Sequence, residues 1–124
     1  ETLAYLPYLD IFAIPSLTDG CPNALLEAMS AGCAIVGSNA DAIGEIIEDG
    51  VSGLLVNPAS SEELASALRH IADKPQLRKQ LGLAAKNKVE TDLAPEVELN
   101  NWLRIYQGLL DSPNIVERAE LKVV

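Results

Sequence analysis

Aromatic rings are scarce in this chain, with one Trp, one Phe and three Tyr among 124 residues. Any core must therefore be aliphatic, and few rings remain to stack bases, which speaks against single-strand nucleic-acid binding. Basic residues are also few: nine Lys and Arg stand against 18 Asp and Glu, a net charge of −9. No basic stripe exists to neutralise a phosphate polymer, so nucleic acid is not an expected partner. One small anion remains open as a ligand, because backbone dipoles act locally whatever the global charge. Cys21 and Cys33 form neither a CxxC pair nor a zinc pattern, so no metal is expected, and two free cytosolic thiols are expected over a disulfide. No apolar run reaches about 18 residues and no leader pattern opens the chain, which predicts a cytoplasmic protein. G-x-G-x-x-G, G-x-x-x-x-G-K-[ST] and G-x-S-x-G are all missing. Ser16, Thr18 and Ser38 have no base beside them, and the lone His70 reads as a surface or partly covered residue near Arg69 and Asp73.

What is present is an alternation of short apolar runs and helical patterns. A short helix interrupted or ended by Pro7 leads into an apolar run at 11–14, which suits a strand covered on both faces. A helix over 24–31 follows, stopped by Gly32. Further strands are predicted at 33–37 and 53–56, with a helical stretch between them ending at Gly50. Three helices complete the chain, one starting at Ser60 or Ser61 and the others at Pro75 and Pro95. This βαβ order predicts an α/β fold, a partial Rossmann-like domain with a parallel sheet flanked by helices. The domain should span 1–111, with 112–124 as a tail that is either loose or an edge strand. Three strands are few for an open parallel sheet, so an upstream part of the domain is expected. Uncovered apolar surface is then expected around Leu3, Leu6 and Ile11, favouring self-association.

In an open α/β sheet the ligand crevice lies at the carboxyl ends of the strands. The loops there are 16–23, 38–44 and 57–61, and the first is the most informative. In "PSLTDGCPNALLEAMSAG", Asn23 reads as an N-cap, or Pro22 as the first helical residue. Either way the N–H groups of Ala24, Leu25 and Leu26 line the rim as an anion site. Gly20 gives the loop freedom to approach a ligand. Asp19 and Glu27 bracket this rim. They complement the helix dipole, or they grip a ligand carrying hydroxyls and phosphate. Glu27 lies in the apolar context "ALLEAMSA", where a carboxylate needs partners, and a ribose cis-diol supplies two donors for its two oxygens.

The stretch "PSLTDGCPNALLEAMSAGCAIVGSNADAIGEIIEDGVSGLLVNPASSEELASAL" resembles the donor-binding C-terminal domain of retaining group 1 glycosyltransferases, which have the GT-B fold. The likeness covers nearly all of 1–110, and the chain reads as the C-terminal half of such a domain. Two acids separated by seven residues, as Asp19 and Glu27 are, form that family's signature. The resemblance implies that Asp19, the catalytic-side acid, faces the donor sugar and that Glu27 binds the ribose. Gly20, Cys21, Pro22, Asn23, Ala24, Leu25 and Leu26 would hold phosphate and sugar through the backbone. Two departures stand out: the first acid is usually Glu, and 41–45 reads Asp-Ala-Ile-Gly-Glu where Gly-Gly and then Pro precede the acid. The family's cationic diphosphate clamp and its acceptor domain would lie upstream, so this chain alone should transfer no sugar. The implied partners are a nucleotide diphosphate sugar and a saccharide or lipid-linked saccharide acceptor, the latter at the cytosolic membrane face. Hexosyl transfer is the leading reading. A nucleotide-sugar epimerase of the same architecture and a non-catalytic nucleotide-binding module are the other two.

Overall fold

A computed structural model describes residues 4–20 and 22–111. The chain divides into two compact units, Glu1–Glu90 and Thr91–Val124. In the first, a 3-10 turn at Leu6–Tyr8 leads to β1 (Ile11–Ile14), α1 (Asn23–Ser30), β2 (Ala34–Ser38), α2 (Asp41–Ile46), β3 (Leu54–Val56), α3 (Ser61–Ala72) and α4 (Pro75–Asp92). Pro7 sits in the first positions of this 3-10 turn, and the start of the helix expected before it lies outside the described residues. The second unit holds α5 (Pro95–Leu110). The predicted tail at 112–124, like Leu3, lies outside the described residues.

The sheet is parallel in the order β1-β2-β3, with Ile11 paired to Ala34 and Val36 to Leu54. Every residue of β2 is buried, and its side chains alternate between two cores. Ile35 joins Ile14, Leu25, Met29, Ile43 and Ile47, while Ala34 and Val36 join Val56, Ile71 and Leu81. Burial on both faces explains the apolar run Ala34–Val36 in β2. β1, however, is an edge strand with Ala13 exposed, so the expectation that 11–14 is covered on both faces is wrong. Leu6 is 4% exposed within the first core, and Ile11 packs half-buried on the second. The expectation that Leu6 is uncovered is therefore wrong: the 3-10 turn folds it under the sheet.

Several boundaries shift for local reasons. α1 closes with Gly32 in the left-handed region at φ 80°. There the N–H of Gly32 donates to Met29 and that of Cys33 to Ala28, satisfying the last carbonyls. That closure uses the Cys33 N–H, so β2 begins one residue later than predicted. Gly50, also left-handed at φ 76°, does not stop a helix. α2 ends at Ile46, and a separate turn follows, where the Glu48 carbonyl accepts from Val51 and Ser52.

α3 starts as the sequence suggests. Ser60 is the N-cap, its hydroxyl accepting from the Glu63 N–H at 3.3 Å. The Glu63 carboxylate reaches back to accept from the N–H and the side-chain amide of Asn57, at 2.8 and 2.7 Å. Those two bonds hold its carboxyl below its ordinary value of 4.5. A depressed folded pKa stabilises the fold above the unfolded value and loses that effect as pH falls through the folded one. The denaturation midpoint of Glu63→Gln should therefore fall below wild type near pH 7, with the gap closing well below pH 4.5. A gap independent of pH would refute the charged bond.

α5 has no buried residue. Leu99, Trp102, Leu103, Tyr106 and Leu109 are all exposed and recur at the spacing of one helical face. Trp102 and Tyr106 stack tilted, their centroids 5.9 Å apart. Among the described residues, no helix is long and apolar enough to cross a membrane.

Candidate functional site

The connections leaving the carboxyl ends of β1, β2 and β3 carry the predicted loops, and the first loop runs into α1. Pro22 occupies the N-cap position without a side-chain cap, and Asn23 is the first helical residue, so both predicted registers are off by one. The physical reason is that the Pro22 carbonyl takes the first turn's bonds, from the N–H of Leu25 at 3.0 Å and of Leu26 at 3.2 Å. Of the three N–H groups expected at the rim, only that of Ala24 is outside these bonds. Gly20 is not left-handed, but a Cβ built on it would meet nothing within 4 Å, so its contribution is room. Cys21 lies outside the described residues.

Glu27 sits about 6 Å along the axis from Asn23. The core-facing residues of α1 are Leu25, Ala28 and Met29, and at about 100° per residue Glu27 falls on the opposite side. In its apolar sequence context Glu27 is nonetheless half-buried on the outer face of the helix. Its carboxylate has no hydrogen-bond or ion-pair partner among the described residues. Asp19 is half-buried in the loop, and its carbonyl accepts from the N–H of Ala42 at 3.3 Å. Loops one and two are therefore joined beside Asp19.

A second tie lies deeper. Ser38, the last residue of β2, is 1% exposed, and its hydroxyl donates to the carbonyl of Ser16. Asp41, which opens α2, is left-handed at φ 40°, where most families of residues other than Gly, Asn and Asp are strained. The third loop is fixed by Glu63 and borders a cavity of 190 Å³, with Pro15, Ser38, Val56, Asn57, Ser60 and Leu64 in its wall. Sequence reasoning placed Ser38 on a ligand loop but missed its tie to Ser16, because the partner is 22 residues away and is a backbone group. His70 is exposed, as expected. Cys33 is a free buried thiol donating to the Leu6 carbonyl at 3.4 Å, and burial pushes its pKa up. Among the described residues, no three His, Cys, Asp or Glu side chains group as metal ligands.

Residues 1–74 match the family described as "Glycosyl transferases group 1". The amylovoran biosynthesis glycosyltransferase AmsK of Erwinia amylovora is 35% identical over 115 residues, covering 88% of this chain but only 28% of that protein. Among solved structures, the C-terminal domain of LpcC, a group 1 family protein of Francisella tularensis, is 32% identical with a TM-score of 0.70. That match covers 74% of this chain and 47% of the domain. HepE of Anabaena, solved in complex with UDP-glucose, is 25% identical with a TM-score of 0.65, covering 68% of this chain and 24% of HepE. The parallel sheet flanked by helices is thus the C-terminal domain type of the GT-B fold. The chain belongs to the group 1 glycosyltransferases.

Proposed function

We propose that this domain, in the full-length protein, binds a nucleoside diphosphate sugar for retaining transfer of a hexose to an acceptor. The observation that carries the reading is Glu27: a half-buried carboxylate without a partner among the described residues, one turn into a helix that starts at the carboxyl end of the sheet. Such a carboxylate suits the two hydroxyls of a ribose. The helix start then faces the diphosphate, and Asp19 faces the sugar. The UDP-glucose complex of HepE supports this choice of ligand class.

Transfer breaks the bond from the anomeric carbon to the diphosphate oxygen and forms one to the acceptor hydroxyl oxygen on the same face. The acceptor proton passes to the leaving diphosphate. The domain contributes positioning and charge stabilisation, and the acceptor hydroxyl is the nucleophile, so neither a protein nucleophile nor a metal is invoked. The acceptor is a saccharide, free or lipid-linked. The free thiol of Cys33 accords with a cytosolic setting. Membership of a transferase family favours transfer over the epimerase and non-catalytic readings.

The test is Asp19→Asn in the full-length protein, titrated calorimetrically with UDP and UDP-glucose, and with GDP and GDP-mannose. Nucleotide affinity should stay within about 2-fold, while nucleotide-sugar affinity or use falls at least ~10-fold, about 1.4 kcal/mol. Equal effects on both ligands would remove Asp19 from the sugar.

A further inference from the structure

We propose that Ser38 is a positioning residue for the donor sugar, its buried hydroxyl holding the loop that carries Asp19. The inference rests on the donor-binding reading above. The β1–β2 ladder ends at the pair Ile14 and Gly37. Pro15 follows, and without an N–H it cannot extend the ladder. Beyond that proline the Ser16 carbonyl accepts from the Ser38 side chain, which stands in place of a backbone N–H. The same hydroxyl lies 3.5 Å from the carbonyl of Ile14, so it sits where β1 gives way to the loop.

Packing does not require a hydroxyl there. Ile35 and Val36 of the same strand are fully buried and apolar, and a hydroxyl at 1% exposure is tolerated only when bonded. Its bond goes to the site loop. A second bond, from the Ala42 N–H to the Asp19 carbonyl at 3.3 Å, holds the other end. The segment from Ser16 to Asp19 is thus anchored at both ends by one strand–helix connection, while Leu17 and Thr18 between them are exposed. Removing the Ser38 anchor takes away the tie at the Ser16 end of the segment and shifts Asp19. Glu27 is not affected, because α1 is fixed by Leu25, Ala28 and Met29 in the core. The sugar end of the site should loosen while the nucleotide end stays.

Ser52 provides the matched control. It is equally buried at 1%, its hydroxyl accepts from the Glu48 N–H at 2.9 Å, and it belongs to the turn before β3. Ser38→Ala and Ser52→Ala are made in the full-length protein and titrated with UDP and UDP-glucose, and with GDP and GDP-mannose, using the pair that wild type binds. Both variants should lower the denaturation midpoint. For Ser38→Ala, nucleotide-sugar affinity or kcat/KM should fall ~10-fold or more, since small misplacements are costly to positioned groups, with nucleotide affinity within ~2-fold of wild type. Ser52→Ala should leave both ligands within that ~2-fold. The proposal is overturned if Ser38→Ala spares the nucleotide sugar, weakens both ligands alike, or behaves as Ser52→Ala does. The donor-binding reading itself fails on the nucleotide alone, through Glu27→Gln, so the two failures are separable.

Discussion

Glu27→Gln should weaken nucleoside diphosphate binding to the full-length protein by at least ~10-fold, with little change in stability. The size follows from the bonds lost. A carboxylate accepting from two ribose hydroxyls makes charge-assisted hydrogen bonds worth ~1.5–3 kcal/mol each, and the amide keeps only one acceptor. If Glu27 served only the dipole of α1, the change would cost up to ~1 kcal/mol of stability and leave affinity unchanged. Its place opposite the Leu25, Ala28 and Met29 face separates the two readings cleanly, because the substitution disturbs no core contact. Calorimetric titration with UDP and GDP, beside denaturant unfolding of the same variant, measures both quantities. Unaltered affinity with reduced stability would return Glu27 to the dipole.

Gly82→Ala should cost about 3 kcal/mol, the upper part of the range for overpacking a close backbone contact. A Cβ on Gly82 of α4 would collide with the carbonyl of Gly32, which is backbone and not the movable end of a side chain. Gly32 cannot yield, because its left-handed conformation and the bonds from Gly32 to Met29 and Cys33 to Ala28 close α1 immediately before β2 enters the core. Shifting it would disturb the helix that carries Glu27. Gly108 of α5 is the contrasting case: an added Cβ meets nothing within 4 Å. There alanine should stabilise the helix by about 1 kcal/mol through propensity alone. Opposite signs for the two substitutions in denaturant unfolding are expected. A neutral Gly82→Ala would show that α4 does not rest on the turn at Gly32.

The elements that the sequence made legible are those whose signal is local. β1 coincides with its predicted bounds and α4 with its predicted start, because a continuous apolar run and a leading proline mark them directly. The start of α3 is legible for the same reason, since Ser60 and Glu63 lie within one turn. The start of α1 was misread because asparagine is the better capping side chain, whereas Pro22 holds the position through its carbonyl. Gly50 was misread because a left-handed glycine serves a turn as well as a helix end. In the candidate site, spacing and chemistry alone single out Asp19 and Glu27, whose roles remain proposals. That Glu27 lies away from the core was legible in principle, since its two-residue offset from Leu25 puts it on the far side of the helix. The ties from Ser38 to Ser16 and from Ala42 to Asp19 were not, because each depends on how two distant loops meet at the end of a folded sheet.

The most direct test of the central claim is a crystal structure of the full-length protein with UDP, or with GDP where that is the nucleotide bound. Both ribose hydroxyls are expected within hydrogen-bonding distance, about 2.5–3.0 Å, of the Glu27 carboxylate, with the diphosphate at the start of α1. A nucleotide bound with Glu27 left in solvent, or seated away from the start of α1, would contradict that claim.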